Sequence, residues 1–234
     1  MELLALITAR GGSKGIIRKN VLDVAGQPLI AWTIQAALQA ESVKRVVVNT
    51  DDDEIASVAK RFGADVPFMR PDILAQDTTP SIDVLIHAIK WFQDYENYSP
   101  DYLMLLQPTS PLRTTLDIEA AIEVASVHDA DAVVSVSASH AHPYWMKQVT
   151  DDGRLKDFMS PEQAYSNRQS LPPVYALNGA IYIVKPDVLV QKRTWFTDKT
   201  YAYVMPAERS LDIDSKLEMK LVDLLLRDQS ENYE

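Results

Sequence analysis

A glycine-rich, basic segment follows the first apolar run of the chain. It reads Arg10-Gly11-Gly12-Ser13-Lys14-Gly15, and residues 10–20 include four basic side chains and no acidic one. Glycines let backbone N–H groups approach phosphate oxygens closely, and Arg and Lys add positive charge. The chain as a whole has a formal net charge of −10, so this local positive charge stands out. The segment predicts an anion site, with a solvated basic loop as the alternative.

Two common phosphate loops do not fit this segment. The dinucleotide-binding fingerprint requires G-x-G-x-x-G, a spacing that these glycines lack. The P-loop requires G-x-x-x-x-G-K-[ST], whereas Lys14 follows Ser13 rather than a glycine. The spacing therefore weighs against hydride transfer and against P-loop ATP hydrolysis.

An acidic pair, Asp212-Ile213-Asp214, lies near the other end of the chain. In an extended segment, residues two apart point the same way, so both carboxylates can face one Mg²⁺ ion, which prefers oxygen ligands. The alternative is helix capping by Asp214 or Ser215, since an acidic residue is favoured at a helix N-terminus.

A third polar segment covers residues 107–113 and contains two prolines that restrict its backbone. Gln107 at its start can bind a sugar hydroxyl or carboxylate. Arg113 at its end can bind an anion or take part in a structural ion pair, and the sequence leaves both readings open.

Four apolar runs must position these polar segments. Runs that are apolar on both faces are typical of parallel strands covered on both sides, and they span residues 3–7, 45–49, 102–106 and 132–136. Helical spacing occurs over residues 28–40, 82–92 and 115–127, the last with Thr114 or Thr115 as a cap. This alternation predicts an α/β doubly wound core with right-handed crossovers.

The pattern changes after about residue 140. Asp152-Gly153 lies between short runs at residues 145–149 and 155–159 and indicates a hairpin. Further along, residues 180–184 and 201–205 are predicted as strands, and residues 186–192 and 215–227 as helices.

Composition limits the classes of protein to consider. The chain has 234 residues, of which 47% are hydrophobic and 24% charged, as in ordinary globular domains. It has no cysteine, which excludes disulfides, thiolate catalysis and Cys-based zinc sites. Its acidic balance argues against nucleic-acid binding, and no apolar run reaches the ~18 residues of a membrane span. The first residues lack the basic region of a signal peptide, so a cytoplasmic location is expected.

Several motifs, in order along the chain, resemble the N-acylneuraminate cytidylyltransferases (CMP-sialic acid synthetases). Ala9-Arg10-Gly11-Gly12-Ser13-Lys14-Gly15 followed by Arg18-Lys19-Asn20 is similar to the nucleotide-binding signature of that family. The further matches are Gln107-Pro108-Thr109-Ser110-Pro111-Leu112-Arg113, Arg168-Gln169 before Leu171-Pro172, Asn178-Gly179-Ala180-Ile181-Tyr182 and Asp212-Ile213-Asp214. The resemblance covers nearly the whole chain.

This resemblance implies a Rossmann-like, doubly wound, mostly parallel sheet of the nucleotidyltransferase type. It implies one domain over residues 1–234. Within that domain, residues 140–175 are expected to form a small inserted dimerisation subdomain that also contacts substrate. A homodimer is therefore expected, without nucleic-acid or membrane partners.

The resemblance also implies roles for individual residues. Arg10 and Lys19 are expected to hold a nucleoside triphosphate, together with Gly11, Gly12, Ser13 and Asn20. Arg70 and Ser81 are expected near the cytosine base and its ribose, although Ser81 by itself reads as a helix N-cap. The implied sugar contacts are Gln107, Lys147, Arg168 and Gln169, with Tyr182, Trp195 and Phe196 as an apolar wall. Surface charge accounts equally for the basic residues among them, and core packing for the aromatic ones.

The implied reaction joins CTP to a 2-keto-3-deoxy sugar acid of the sialic type and gives the CMP-sugar and pyrophosphate. Arg10, Lys19 and Asp214 are the expected catalytic residues, with Mg²⁺ on Asp212 and Asp214. The sugar acid is sialic, legionaminic, pseudaminic or keto-deoxynonulosonic acid. The alternatives are a cytidylyltransferase for Kdo or amino-Kdo, and a non-catalytic nucleotide-sugar binding protein, which would have no evident need for the acidic pair.

Overall fold

A computed structural model of the chain describes residues 1–12, 15–139, 141–159 and 170–231. Ser13, Arg168 and Gln169, which the sequence assigns to substrate binding, lie outside the described residues. Within those residues the strands are, in chain order, β1 (Leu3–Thr8), β2 (Asp23–Val24), β3 (Gln27–Pro28), β4 (Arg45–Asn49), β5 (Tyr102–Leu106), β6 (Ala132–Ala138), β7 (Lys147–Val149), β8 (Leu155–Asp157), β9 (Tyr175–Val184) and β10 (Thr200–Val204).

The helices that accompany these strands alternate with them through most of the chain. They are α1 (Leu29–Leu38), α2 (Asp53–Arg61), α3 (Ser81–Glu96), α4 (Thr115–Val127), α5 (Pro186–Lys192) and α6 (Lys216–Glu231). Among the described residues, none of these helices is both long enough and apolar enough to cross a membrane.

Six of the strands form one sheet in the order β10-β6-β9-β5-β1-β4. Neighbouring strands are parallel except at β9, which runs antiparallel to both β5 and β6. The expected α/β, doubly wound, mostly parallel architecture is therefore confirmed.

Apolar side chains cover both faces of the sheet. On one face, α1 and α4 pack through residues such as Ile34 and Ile122, and on the other α3 and α5 pack through residues such as Phe92 and Leu189. Strands β1, β4, β5 and β6 and the second half of β9 are buried on both sides, because their alternate residues enter different clusters, whereas the edge strand β10 is largely exposed. This explains why the strand sequences are continuously apolar.

A third, smaller core lies beside the sheet and joins distant parts of the chain. Ile16 from the basic loop and Ile213 from the acidic pair are both buried in it, together with Leu112, Val222 and Leu226. Ile213 lies between Asp212 and Asp214 in the sequence. Because its side chain is buried in this core, the side chains of the two aspartates must point away from the core. One apolar cluster thus holds together the three polar segments that the sequence singled out.

Three helix starts differ in how well the sequence predicted them. Thr114 caps α4 as predicted, and Asp117 completes a reciprocal capping box with it. The interpretation of Ser81 as an N-cap is wrong, because Pro80 occupies the cap position and α3 begins at Ser81 itself. At the start of α6, Ser215 Oγ accepts the N–H of Glu218 at 3.4 Å, so Ser215 performs the capping and leaves the carboxylate of Asp214 available.

The inserted region is only partly described. The predicted hairpin is confirmed as the antiparallel pair β7 and β8, with Gly153 at a φ of +81° in its turn. A left-handed φ of this kind favours glycine. Both strands of the hairpin are exposed along their whole length.

Candidate active site

The polar segments converge at one edge of the sheet. The carboxyl ends of β1, β4 and β5 meet there, and the antiparallel β9 brings its amino-terminal half to the same edge. A cavity of about 310 Å³ opens between these segments. It is lined by Thr8, Arg10, Gly15, Lys19, Asn20, Gln107, Pro108, Thr109 and Asp214. The basic loop and one carboxylate of the acidic pair therefore share a cavity, as the sequence-based hypothesis requires.

Arg10 is fixed from two directions. Its guanidinium forms an ion pair with Asp77, in the segment before α3. Its carbonyl oxygen accepts a hydrogen bond from Asn20 Nδ2 at 3.1 Å, and the next N–H, of Gly11, donates to Asp51 Oδ1 at 3.1 Å. Arg10 is thus held at the cavity, with an anion already beside its charged head.

Arg18 takes a different position from the other basic residues of the loop. It adopts a left-handed conformation with a φ of +58° and forms ion pairs with Asp52 and Glu54 at the start of α2. The Arg18 guanidinium lowers the pKa of the Asp52 carboxyl, which also caps α2 by accepting the N–H of Ile55 at 3.0 Å. Arg18 therefore anchors the loop to α2.

Lys19 joins the basic loop to the acidic pair. Its ammonium donates to the carbonyl oxygen of Ile213 at 2.6 Å and lies 3.8 Å from Asp214 Oδ1. The Ile213 N–H in turn donates to the carbonyl oxygen of Thr109 at 2.9 Å. The backbone of the acidic pair is thus bonded to the basic loop on one side and to the 107–113 segment on the other.

The two acidic residues differ in environment. Asp214 has a side chain that is 81% exposed, whereas Asp212 is half-buried and its Oδ1 has no hydrogen-bond partner among the described residues. Burial raises the pKa of Asp212, the nearby Thr109 hydroxyl opposes this rise, and the neighbouring charge of Asp214 adds to it. A Cβ added at Gly179 would lie 3.8 Å from Asp212 Oδ2 and 3.8 Å from Gln107 Oε1, so these two side chains flank the same glycine.

This donor set fits a hard divalent cation. A buried carboxylate oxygen without a protein partner leaves a strong acceptor unused, which is costly unless a cation or a hydrogen-bond donor satisfies it. In the part of the chain that the structure describes, no group of three or more His, Asp or Glu side chains is gathered as a metal site. Asp212 and Asp214 would therefore hold an ion whose remaining ligands come from substrate oxygens and water, as is common for Mg²⁺.

Arg70 packs against Asn49, the last residue of β4. It is 6% exposed and donates from Nε to Asn49 Oδ1 and from Nη2 to the Asn49 carbonyl oxygen, both at 2.6 Å. Burial lowers the pKa of Arg70 to about 10, so the side chain stays charged at neutral pH. Ser81 is exposed at the start of α3. The structure gives no contact that ties Ser81 to Arg70.

Arg113 has a structural position. It is almost fully buried and donates from Nη1 to the carbonyl oxygens of Gln107 (3.2 Å) and Ala180 (2.8 Å), and from Nη2 to Thr33 Oγ1 (2.7 Å). No carboxylate among the described residues is hydrogen-bonded to it, so the expected ion pair is not formed there, and anion binding by Arg113 stays a prediction. These hydrogen bonds hold the backbone of Gln107 against β9.

The expected sugar contacts separate into two groups. Gln107 lines the cavity, and Tyr182 is half-buried and near enough to Asp212 for the charge of Asp212 to add to the effect of burial in raising its pKa. Trp195 is buried in the core with its ring 4.9 Å from that of Tyr182, so core packing accounts for it. Phe196 is exposed between α5 and β10, at the opposite edge of the sheet. Lys147 lies on the exposed hairpin, paired with Asp157.

The fold and the site together define a nucleotidyltransferase-type protein: a doubly wound sheet with a basic loop after the first strand and an acidic pair facing it. A family model described as cytidylyltransferase matches residues 4–224. The chain belongs to this family of nucleotidyltransferase enzymes.

Named relatives make the comparison more specific. The chain is 36% identical to a CMP-N,N'-diacetyllegionaminic acid synthase of Legionella pneumophila, over 97% of both chains. It is 36% identical to an N-acylneuraminate cytidylyltransferase of Escherichia coli O18:K1:H7, over 94% of this chain and 51% of that protein. Among solved structures, a CMP:2-keto-3-deoxy-manno-octonic acid synthetase complexed with CTP is similar with a TM-score of 0.74 and 19% identity, over 98% of this chain and all of that one. At 19% identity, the similarity to this solved structure shows a shared fold alone.

Proposed function

We propose that this protein joins CTP to a sialic-type nonulosonic acid and releases pyrophosphate. The observation that carries the proposal is the shared cavity, in which Arg10 and Lys19 face Asp214 across a space that Gln107 also borders. Cations suited to a triphosphate, an acidic pair suited to a metal and an amide suited to a sugar are thereby brought to one edge of the sheet. The named relatives at 36% identity act on substrates of this class by their names.

In the proposed reaction, the anomeric hydroxyl oxygen of the sugar acid bonds to the α-phosphorus of CTP. The bond from that phosphorus to the β-phosphate oxygen breaks, pyrophosphate leaves, and the hydroxyl loses its proton. Such a transfer depends mainly on positioning and charge neutralisation. Arg10 and Lys19 would bind the triphosphate oxygens, and N–H groups of the glycine loop would add further donors.

Asp212 and Asp214 would hold Mg²⁺, which neutralises phosphate charge and lowers the pKa of a bound hydroxyl. Among the described residues that line the cavity, Asp214 is the one carboxylate. It is therefore our candidate for accepting the hydroxyl proton. Arg70, held by Asn49, and Ser81 at the start of α3 are proposed to lie near the cytosine and its ribose.

We also propose that the protein acts as a homodimer. The hairpin exposes Val149 (71%) and Leu155 (69%), and Phe158 just beyond it is 56% exposed. Grouped apolar side chains of this kind mark an interaction surface. In a homodimer the hairpin would bring Lys147 towards the partner's site, where the carboxylate of the sugar acid needs a cation. The cytoplasmic location expected from the sequence stays a prediction.

A CMP-Kdo-type activity is the second candidate function, and the fold likeness to the 2-keto-3-deoxy-manno-octonic acid synthetase is what favours it. The sequence identity of 36% to the nonulosonic relatives, against 19% to that structure, places it second.

Measuring pyrophosphate release separates the two candidates. The assay contains CTP and Mg²⁺ with N-acetylneuraminic, N,N'-diacetyllegionaminic, pseudaminic, keto-deoxynonulosonic or Kdo acid in turn, and it is repeated with UTP, ATP and GTP. We expect release with CTP and a nine-carbon acid, and its loss in Asp212→Asn and Asp214→Asn variants that remain folded. Release with Kdo alone would establish the second candidate, and no release with any acid would refute both.

A further inference from the structure

A buried carboxylate outside the cavity connects two segments of the proposed site. Asp117, in the first turn of α4, has a side chain with no exposed surface and accepts five hydrogen bonds. Arg209 donates from Nε and Nη2, each at 2.8 Å, and Tyr203 donates its hydroxyl at 2.8 Å. The N–H and hydroxyl of Thr114 donate at 2.9 Å and 2.8 Å.

These bonds reach two separate parts of the chain. Thr114 directly follows the 107–113 segment, which begins at Gln107 in the cavity. Arg209 lies three residues before Asp212, in the segment that leads from β10 to the acidic pair. One carboxylate therefore fixes the end of the proposed sugar segment and the start of the acidic segment to the same point.

The two segments also meet within the site itself. The Ile213 N–H donates to the carbonyl oxygen of Thr109, and the side chains of Asp212 and Gln107 both lie near the position that a Cβ on Gly179 would take. Ser210, next to Arg209, accepts a hydrogen bond from Asn178 Nδ2 at 3.0 Å, which ties this part of the segment to β9. A shift at Arg209 would therefore pass along a short, bonded stretch of backbone to the acidic pair.

The ion pair between Asp117 and Arg209 is chemically suited to fixing the distance between the two segments. A guanidinium that donates two parallel hydrogen bonds to one carboxylate is fixed in angle as well as position, which a lysine ammonium cannot reproduce. Burial pushes the pKa of Asp117 upwards, but the bonds from Arg209, Thr114 and Tyr203 outweigh it, and the pKa lies below its ordinary value. The carboxylate therefore stays ionised and keeps its hold on Arg209 at neutral pH.

We propose that Asp117 and Arg209 are positioning residues that set the acidic pair against the 107–113 segment and thereby set the affinity of the site for a divalent cation. The inference rests on the proposed function, because it assumes that Asp212 and Asp214 bind a metal. Groups that orient metal ligands without touching the metal commonly change its affinity about 10- to 100-fold when they are removed.

The test compares Arg209→Gln with Arg209→Lys and with a matched control, Arg45→Gln. Arg45 is an ion-paired arginine as well, with Asp65 and Glu96 where Arg209 has Asp117 alone, and its side chain is similarly exposed (25% against 28%), but it lies at the start of β4, away from the cavity. The readouts are Mn²⁺ binding followed by electron paramagnetic resonance with and without CTP, and the Mg²⁺ concentration that gives half-maximal pyrophosphate release. Circular dichroism and thermal melting show which variants are folded at the assay temperature.

We expect Arg209→Gln to weaken Mn²⁺ binding about tenfold and to raise the Mg²⁺ requirement by a similar factor. Arg209→Lys should fall between it and the wild type, and Arg45→Gln should keep the wild-type affinity even where its melting temperature falls. Wild-type Mn²⁺ affinity in a folded Arg209→Gln variant would overturn the inference and leave the proposed function intact. If the wild type binds no more Mn²⁺ than Asp212→Asn does, the proposed metal site itself fails.

Should Arg209→Gln not fold, Tyr203→Phe provides a milder variant. It removes one donor to Asp117 Oδ1 and leaves the guanidinium in place. A threefold or greater weakening of Mn²⁺ binding in this variant, with no change in Arg45→Gln, would support the inference. No weakening in either Tyr203→Phe or Arg209→Lys would overturn it.

Discussion

Among the cations that line the cavity, Arg10 is the residue that we expect to contribute most to triphosphate binding. Its backbone is held by Asn20, so the side chain can exchange partners without moving the loop. Charge-assisted hydrogen bonds contribute about 1.5–3 kcal/mol. Arg10→Ala is therefore expected to lower kcat/KM for CTP at least ~10-fold, measured by initial rates of pyrophosphate release. Arg227→Ala, which removes an exposed ion-paired arginine from α6, is the control, and near-normal kinetics in a folded Arg10→Ala variant would remove the loop from the site.

Asp77 opposes the same binding step. Its carboxylate pairs with Arg10, so an incoming triphosphate must compete with it for the guanidinium and is repelled by its charge. Both partners are about one-third exposed, and exposed pairs contribute about 0.2–1 kcal/mol. Asp77→Asn is expected to lower KM for CTP about two- to fivefold. A higher KM in this variant would show that Asp77 supports nucleotide binding instead.

His87 makes the stability of the protein depend on pH near neutrality. Burial lowers its pKa, and the charge of Arg70 lowers it further. Below its ordinary pKa of about 6.5, the unfolded chain holds a proton on His87 that the folded chain does not, so the free energy of unfolding falls as the pH decreases. Urea titrations at about pH 7.5 and about pH 5.5 should therefore show a larger loss for the wild type than for His87→Gln. Equal losses would contradict the assignment.

The sequence predicted individual site residues where a motif carried them. Arg10, Lys19, Gln107 and Asp214 were expected together and line one cavity. It could not predict that Arg113 binds backbone carbonyls, because those partners depend on how β9 lies beside β5.

The pairing of Asp117 with Arg209 shows the same limit. It joins residues 92 positions apart, and although the spacing of Thr114 and Asp117 is that of a capping box, nothing in the local sequence indicates Arg209 as the partner of Asp117. The sequence left two roles for Trp195, substrate contact and core packing. Its burial beside Tyr182 favours core packing.

At the level of elements, the central strands were predictable and their directions were less so. The residues predicted for β4, β5 and α5 match the observed bounds, because each is a short apolar or periodic run with clear ends. The antiparallel direction of β9 leaves no trace in its own residues. It follows from the course of the chain between β6 and β9.

Helix α2 was missed. Its signals are present in the sequence: Asp52 as the cap, acidic residues in the first turn and Lys60 and Arg61 in the last. Because the sequence analysis missed α2, it also missed the ion pair that anchors Arg18 to the N-terminus of this helix.

The basic loop and the acidic segment are in close backbone contact at Gly15. A Cβ added there would lie 2.8 Å from the carbonyl oxygen of Asp214, so one of the two elements would have to move. Displacing reacting groups by a fraction of an ångström to 1 Å can cost ~10–100-fold in rate. Gly15→Ala is expected to lower kcat/KM at least ~10-fold in the pyrophosphate assay. Gly12→Ala, where an added Cβ meets nothing within 4 Å, should lose clearly less; equal losses would indicate a general effect on the loop.

The whole molecule assembles its site from both ends of the chain. Lys19 and Ile213 are bonded although 194 positions separate them, and the third core buries Ile16 with Ile213 beside that bond. Local patterns predict each segment, but only the sheet order brings β1 and the chain after β10 to one edge. The motif resemblance supplied that arrangement in advance because the family shares one fold.

The last prediction concerns assembly, since the hairpin leaves its apolar side chains exposed. Val149 and Leu155 lie directly opposite each other across the hairpin. We expect the wild type to sediment as a dimer, and Leu155→Asp to sediment as a monomer with a raised KM for the sugar acid, because burying an unpaired carboxylate at an interface is costly. KM for CTP should change little, since the described nucleotide residues lie within one chain. Val127→Asp, with a similarly exposed apolar residue (70%) at the end of α4, is the control and should remain dimeric. A fully active monomeric wild type would show that the hairpin serves another partner and that one chain completes the sugar site.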